Sequence, residues 1–211
     1  MKPLPREGLA PLALTSLALA LAVLAFALYL RERPPGEGSA AAGFARDMSV
    51  HHAQAVEMAG IVRDRTNDPA IRTLATDIVL TQQAQLGQMH GWLAAWGLSL
   101  TGTRPPMAWM GHPVEGRMPG MASPGEINRL RSAPPEEADR LFLWLMIEHH
   151  RAAIPMARAA LERTDRPEVE RLAGAILRSQ RGEIRVMQKM LEERAGEAAP
   201  QHRSGGHRHG S

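Results

Sequence analysis

The chain has no cysteine among its 211 residues. Disulfides, thiolate metal sites and a lipid-modified N-terminal cysteine are therefore all excluded, which fits an exported protein without establishing export. Aromatic residues are also scarce, with three phenylalanines, one tyrosine and four tryptophans. The formal net charge is only +3, and its arginines are scattered. A nucleic-acid surface needs a basic stripe with stacking aromatics, so no nucleic-acid partner is expected. The Glu-x-x-His pairs that carboxylate-bridged di-iron enzymes place on two helices are missing too; Glu148 abuts His149 at the wrong spacing. An oxidase of that type is therefore disfavoured, and the expectation is a protein that is not an enzyme.

What the chain does contain is one long apolar run, Leu9 to Leu30. Twenty-two residues at 1.5 Å each span about 33 Å, enough for a hydrocarbon core of ~30 Å. A cleavable signal has a shorter apolar region, roughly 7–15 residues, so an uncleaved transmembrane helix is favoured over a signal peptide. The expected organisation is a membrane anchor (or signal peptide) at 1–30 and a Pro- and Gly-broken linker at 31–43. A folded domain follows at 44–195, outside the cytoplasm, and then a disordered His-containing tail at 196–211.

Inside the domain, Met48-x-x-His51-His52-x-x-Ala55-x-x-Met58-Ala59 returns 98 positions later as Met146-x-x-His149-His150-x-x-Ala153-x-x-Met156-Ala157. The register holds onward: Pro69 matches Pro167, Gln82 matches Gln180, and Met89 matches Met187. A constant offset of this length reads as a duplication. Each copy reads as a helical hairpin. The first runs from about Phe44 to Arg65, turns at Asn67-Asp68-Pro69 and returns to about Gly97. The second runs from about Pro135 to Arg163, turns before Pro167 and returns to about Arg194. Two such hairpins predict an all-α, ferritin-like four-helix bundle. The connection from Leu98 to Pro134 is long enough to permit a crossover, with a capped short helix at Ser123 to Leu130.

At about 100° per residue, Met48, His51, His52, Ala55, Met58 and Ala59 share one side of the first helix, as do their counterparts on the third. Up to four histidines thus point at or beside a bundle interior. Glu183 shares an apolar face with Ile176 and Met187, where a carboxylate is costly unless paired or bound to a cation. Its counterpart is Gln85, so the two halves are not equivalent. Imidazoles combined with thioethers suit a soft metal, copper above zinc. The bland alternative is that the histidines only hydrogen-bond and pack. Met107, Met110, His112, Met118 and Met121 add further soft donors in the connecting loop, and Pro155 is expected to kink the third helix beside His150.

These residues resemble the bacterial family catalogued as domain of unknown function 305, through Asp47-Met48-x-x-His51-His52, Met146-Ile147-x-His149-His150 and Gln180-x-x-Glu183. The resemblance covers about Phe44 to Glu193. It implies a ferritin-like fold, frequent export, and kinship with copper-binding periplasmic proteins linked to copper resistance. The metal positions it implies here are Met48, His51, His52, Met58, Met146, His149, His150, Met156 and Glu183. The expected cofactor is a copper ion, Cu(I) favoured. The expected partners are metal ions and, through the N-terminal helix, the membrane; a homo-oligomer is compatible with the sequence.

Overall fold

The computed structural model describes residues 9–198; the first eight residues and the tail from 199 onward, including its histidines, lie outside them. Among the described residues there are six α-helices, one short 3-10 turn and no strand. The chain divides into two compact units, Met1–Pro35 and Gly36–Ser211.

The first unit is helix α1, Leu9–Glu32, in which the described side chains are those of residues 14–26. The large apolar ones among them, from Leu14 to Phe26, are all exposed. The expected transmembrane helix is not found: no helix among the described residues is long and apolar enough to cross a membrane.

The second unit holds two helical hairpins. Helix α2 spans Ala40–Arg63 and α3 spans Pro69–Ala95. Ser39 caps α2 through the Ala42 N–H, so the alanines expected to close the linker instead form the first helical turn. Asp68 caps α3 by accepting from the Ala70 and Ile71 N–H groups, with Pro69 in the first helical turn, as the turn sequence predicts. Helix α5, Pro135–Arg163, and α6, Pro167–Ala198, form the second hairpin. Helix α6 outlasts the expected end near Arg194, so residues 196–198, expected in the tail, are helical. Pro155 does not break α5, and its ring is exposed, where the lost backbone bond is open to water.

The hairpins meet through α2 and α5. One buried cluster joins Phe44 and Met48, early in α2, to Ala153, Met156 and Ala160, late in α5. The other joins Ala55, Met58 and Val62 to Ala138, Phe142 and Met146. The two helices therefore run antiparallel, with the histidine pairs at the crossing between the two clusters.

The long connection runs as a strap down the length of α2. Near the start of α2, the Asp47 carboxylate accepts from Met107 N at 2.7 Å and Trp109 Nε1 at 2.8 Å. Gln54 exchanges two hydrogen bonds with the backbone of Ala122, at 3.0 and 2.6 Å. Helix α4, Pro124–Ser132, starts with a capping box between Ser123 and Glu126. At the far end, Arg65 donates to the carbonyls of Leu130 and Ala133. The connection thus crosses from one end of the hairpins to the other.

Candidate metal centre

All four histidines are fully buried, because adjacent residues 100° apart on α2 and α5 both fall within the wide apolar face of each helix. His51 and His149 meet ring against ring, with centroids 3.7 Å apart and planes tilted by 31°. His149 Nε2 lies 2.9 Å from the His51 carbonyl oxygen, so it carries the proton and donates. His150 Nε2 lies 2.6 Å from Glu183 Oε2, and His52 Nε2 lies 2.7 Å from Gln85 Oε1. The last two pairs are repeat counterparts, one ending in a carboxylate and the other in an amide.

Each of these bonds fixes a tautomer. When Nε2 donates, Nδ1 keeps its lone pair. The Nδ1 atoms of His52, His149 and His150 are buried without a hydrogen-bond partner, and so are both ring nitrogens of His51. A buried, unsatisfied polar atom costs about 1–3 kcal/mol, so leaving several in one layer is expensive. Gln82 and Gln180, another repeat pair, are likewise buried with unpartnered amides, and neither reaches a histidine.

Three of the imidazoles, His51, His52 and His149, are held neutral. Burial, and then the neighbouring His52 and His150, push His51 down to about 3; the Pro119 carbonyl opposes the drop without reaching hydrogen-bond geometry. Burial takes His52 to about 4 despite its bond to Gln85. His149 falls well below the ordinary histidine value through burial and its three histidine neighbours. Protons therefore do not compete for these lone pairs at neutral pH, and a neutral imidazole whose other nitrogen donates to a carboxylate or carbonyl is a favourable metal ligand.

The nine residues implied by the resemblance do not gather at one point. Met48 and Met156 belong to the cluster on one side of the histidines, Met58 and Met146 to the cluster on the other, and all four are buried. Glu183 is a quarter exposed and reaches the layer through His150. Among the described residues no three His, Asp or Glu side chains converge closely enough to hold a metal ion. A soft monovalent ion held by few ligands fits these donors better than zinc, which takes four.

Sequence reasoning missed the groups that cover the layer. Gly120 sits in the left-handed region at φ 75°, and a Cβ there would lie 2.5 Å from Ala152 Cβ and 2.7 Å from the Glu148 carbonyl. The strap thus lies directly on α5 beside His149. The only signal for this was Met118-Pro119-Gly120-Met121 itself. At the other end of the strap, Trp109 lies over Gly43, where a Cβ would come within 2.4 Å of the indole. His112 is exposed and joins neither cluster.

An all-helical unit of two hairpins with buried, neutral, partly unsatisfied histidines at their crossing defines a class of helical imidazole-bearing proteins. The chain belongs to the family Domain of unknown function (DUF305), whose profile matches residues 41–191. It is similar to a DUF305 protein of Streptomyces coelicolor described as secreted, at 48% identity and a TM-score of 0.73, covering 76% of this chain and 96% of that one. A DUF305 fragment from Deinococcus radiodurans is 41% identical with a TM-score of 0.62, over 73% of this chain and 96% of that one. CopM, solved in its Cu(I)-bound form, is 27% identical with a TM-score of 0.55, over 72% of this chain and 96% of that one. CopM has also been solved in Cu(II)-bound and Ag-bound forms. Among curated proteins, 43 residues are 42% identical to an uncharacterized protein of Acanthamoeba polyphaga mimivirus, 20% of this chain and 28% of that protein.

Proposed function

We propose that this protein binds copper as Cu(I) in a ferritin-like four-helix bundle outside the cytoplasm, where it sequesters the metal, confers resistance or hands it on. The carrying observation is the set of buried Nδ1 lone pairs on histidines whose Nε2 atoms are already committed. The copper-bound forms of CopM support the choice of metal, and the Streptomyces coelicolor relative supports the location. Helix α1, with its exposed apolar side chains, is the element that leads the domain out of the cytoplasm. His51, His52, His149 and His150 donate to the metal. Glu183 positions His150 and makes its ring more electron-rich, and Met48, Met58, Met146 and Met156 supply the soft surroundings. The role is binding, not catalysis.

The competing reading is a structural or partner-binding module whose histidines only pack. It is favoured by their pairwise bonds and by the lack, among the described residues, of a convergent three-ligand group. Cu(I) titration of the full chain against a chromophoric Cu(I) chelator separates the two. On the metal-binding reading the protein withdraws copper from the chelator, and H149A/H150A lowers its affinity at least ~100-fold. Indifference of the wild-type chain to Cu(I) leaves only the packing role.

A further inference from the structure

Between the start of α2 and the strap lies a cleft of about 270 Å³ that shares no residue with the metal centre. Drug-sized ligands occupy roughly 300–1,000 Å³, so this space suits something smaller. The duplication does not account for it. At the offset of 98 positions the counterparts of Arg46 and Asp47 are Trp144 and Leu145, so the polar lining belongs to the first hairpin and the strap alone.

Two charges in the cleft satisfy each other. Arg46 is only 8% exposed, with Nη2 2.8 Å from Glu37 Oε2 and Nε donating to the Ser99 carbonyl at 2.9 Å. The strap passes so close that a Cβ at Gly102 would lie 3.2 Å from Arg46 Cδ. This pair forms a closed wall.

Two other charges stay open. Met107 takes a left-handed φ of 62°, the only positive value at a non-glycine among the described residues, and its N–H donates to Asp47 Oδ2. The same oxygen accepts from Trp109 Nε1, which leaves Oδ1 without a hydrogen bond among the described residues. Burial raises this carboxyl above its ordinary value, as expected of an anion short of partners. Arg104, also lining the cleft, lies over Gly38 and donates to its carbonyl, but meets no carboxylate among the described residues. Much of the remaining lining is apolar, and Val50 and Leu100 are about half exposed.

The cleft therefore offers one unmatched anion, one unmatched cation and an apolar wall. A simple cation would meet Arg104, a simple anion would meet Asp47, and an uncharged molecule would leave both unpaired. We propose that the cleft binds a small zwitterion with an apolar body, an α-amino acid or a dipeptide, with its ammonium on Asp47 and its carboxylate on Arg104. The apolar side chain covers Val50 and Leu100. The site stands whether or not the histidines bind metal.

The test is isothermal titration calorimetry of the full chain, with a metal chelator present, against L-leucine and L-alanyl-L-leucine. At least one is expected to bind with a Kd of about 1 mM or tighter, and the tighter of the two tells whether the occupant is a free amino acid or a peptide. Blocking either end, as the N-acetyl or the C-amide form, is expected to weaken binding about 10-fold or more, since each block removes one charge-assisted contact. D47N should bring the zwitterion to the level of its N-acetyl form, and R104Q to the level of its C-amide form, with thermal melting as the check on folding. Silence of both zwitterions overturns the proposal. Equal binding of the free and blocked forms does so too, because it marks a merely apolar cleft. Should D47N fail to fold for want of the strap's anchor, R104Q decides alone: undiminished affinity in that variant overturns the proposal.

Discussion

Acidification is expected to unfold the metal-free protein well above the pH at which carboxylates titrate. His51, His52 and His149 have folded-state values far below the ordinary 6.5, with His51 at about 3 and His52 at about 4. Between about pH 6.5 and 4 the unfolded chain takes up protons that the folded chain refuses, so stability falls as pH falls. The loss begins near the unfolded value and stops only when the folded rings themselves protonate. At pH 5 the solution is ~1.5 units below the unfolded value, and at about 1.4 kcal/mol per unit His51 and His52 each remove about 2 kcal/mol. Together they remove about 4 kcal/mol, a large part of the total stability of an ordinary domain, about 5–15 kcal/mol, and His149 acts in the same direction. Half-buried Asp47 and buried Asp139 have values raised by burial and oppose the trend as their carboxyls protonate. The assay is urea unfolding of the full chain, followed by far-UV circular dichroism at pH 7, 6 and 5 with a metal chelator present. An unchanged midpoint between pH 7 and 5 refutes the view that these rings are buried and neutral.

Two other perturbations test the halves of the site and its cover. Gln85→Glu gives His52 the carboxylate that His150 already has. Cu(I) affinity is expected to rise several-fold while the metal-free protein loses about 1–3 kcal/mol from the added buried acid, as chelator competition and thermal melting would show; weaker copper binding contradicts the role given to Glu183. Gly120→Ala places a methyl 2.7 Å from the Glu148 carbonyl at a left-handed φ, so the strap must lift. A loss of about 2–4 kcal/mol is expected, together with faster hydrogen exchange near His149; wild-type melting and exchange would mean that the strap does not press on α5 there.

The hairpins and the inward-facing histidines were legible because each depends on local spacing: Asp68-Pro69 caps and starts α3, and His51 and His52 fall on a face whose other members are Ala55 and Ala59. That Glu183 needs a partner followed from an acid on an apolar stripe, but that the partner is His150 did not. Other features depend on how distant segments meet. The antiparallel crossing of α2 and α5 separates Met48 and Met156 from Met58 and Met146, and no pattern within one helix encodes that. The lone pairs at Nδ1 become visible only when the His51 carbonyl is found against His149 Nε2. Met107 looked like one of several loop methionines, because a backbone angle leaves no trace in residue type when the residue is not glycine. The start of α2 at Ala40 was missed because its alanines follow a proline- and glycine-rich stretch that reads as linker.

Complete enclosure of the four imidazole rings, with His51 and His149 beside a strap anchored at Asp47, Gln54 and Arg65, has a kinetic meaning. Any ion that docks there arrives and departs only while the structure breathes, so its exchange rate is set by how often the cover opens and not by ligand affinity alone. Loading is then slow and residence long even at modest affinity, which is the behaviour of a reservoir. Rapid delivery demands a recipient that pries the strap away.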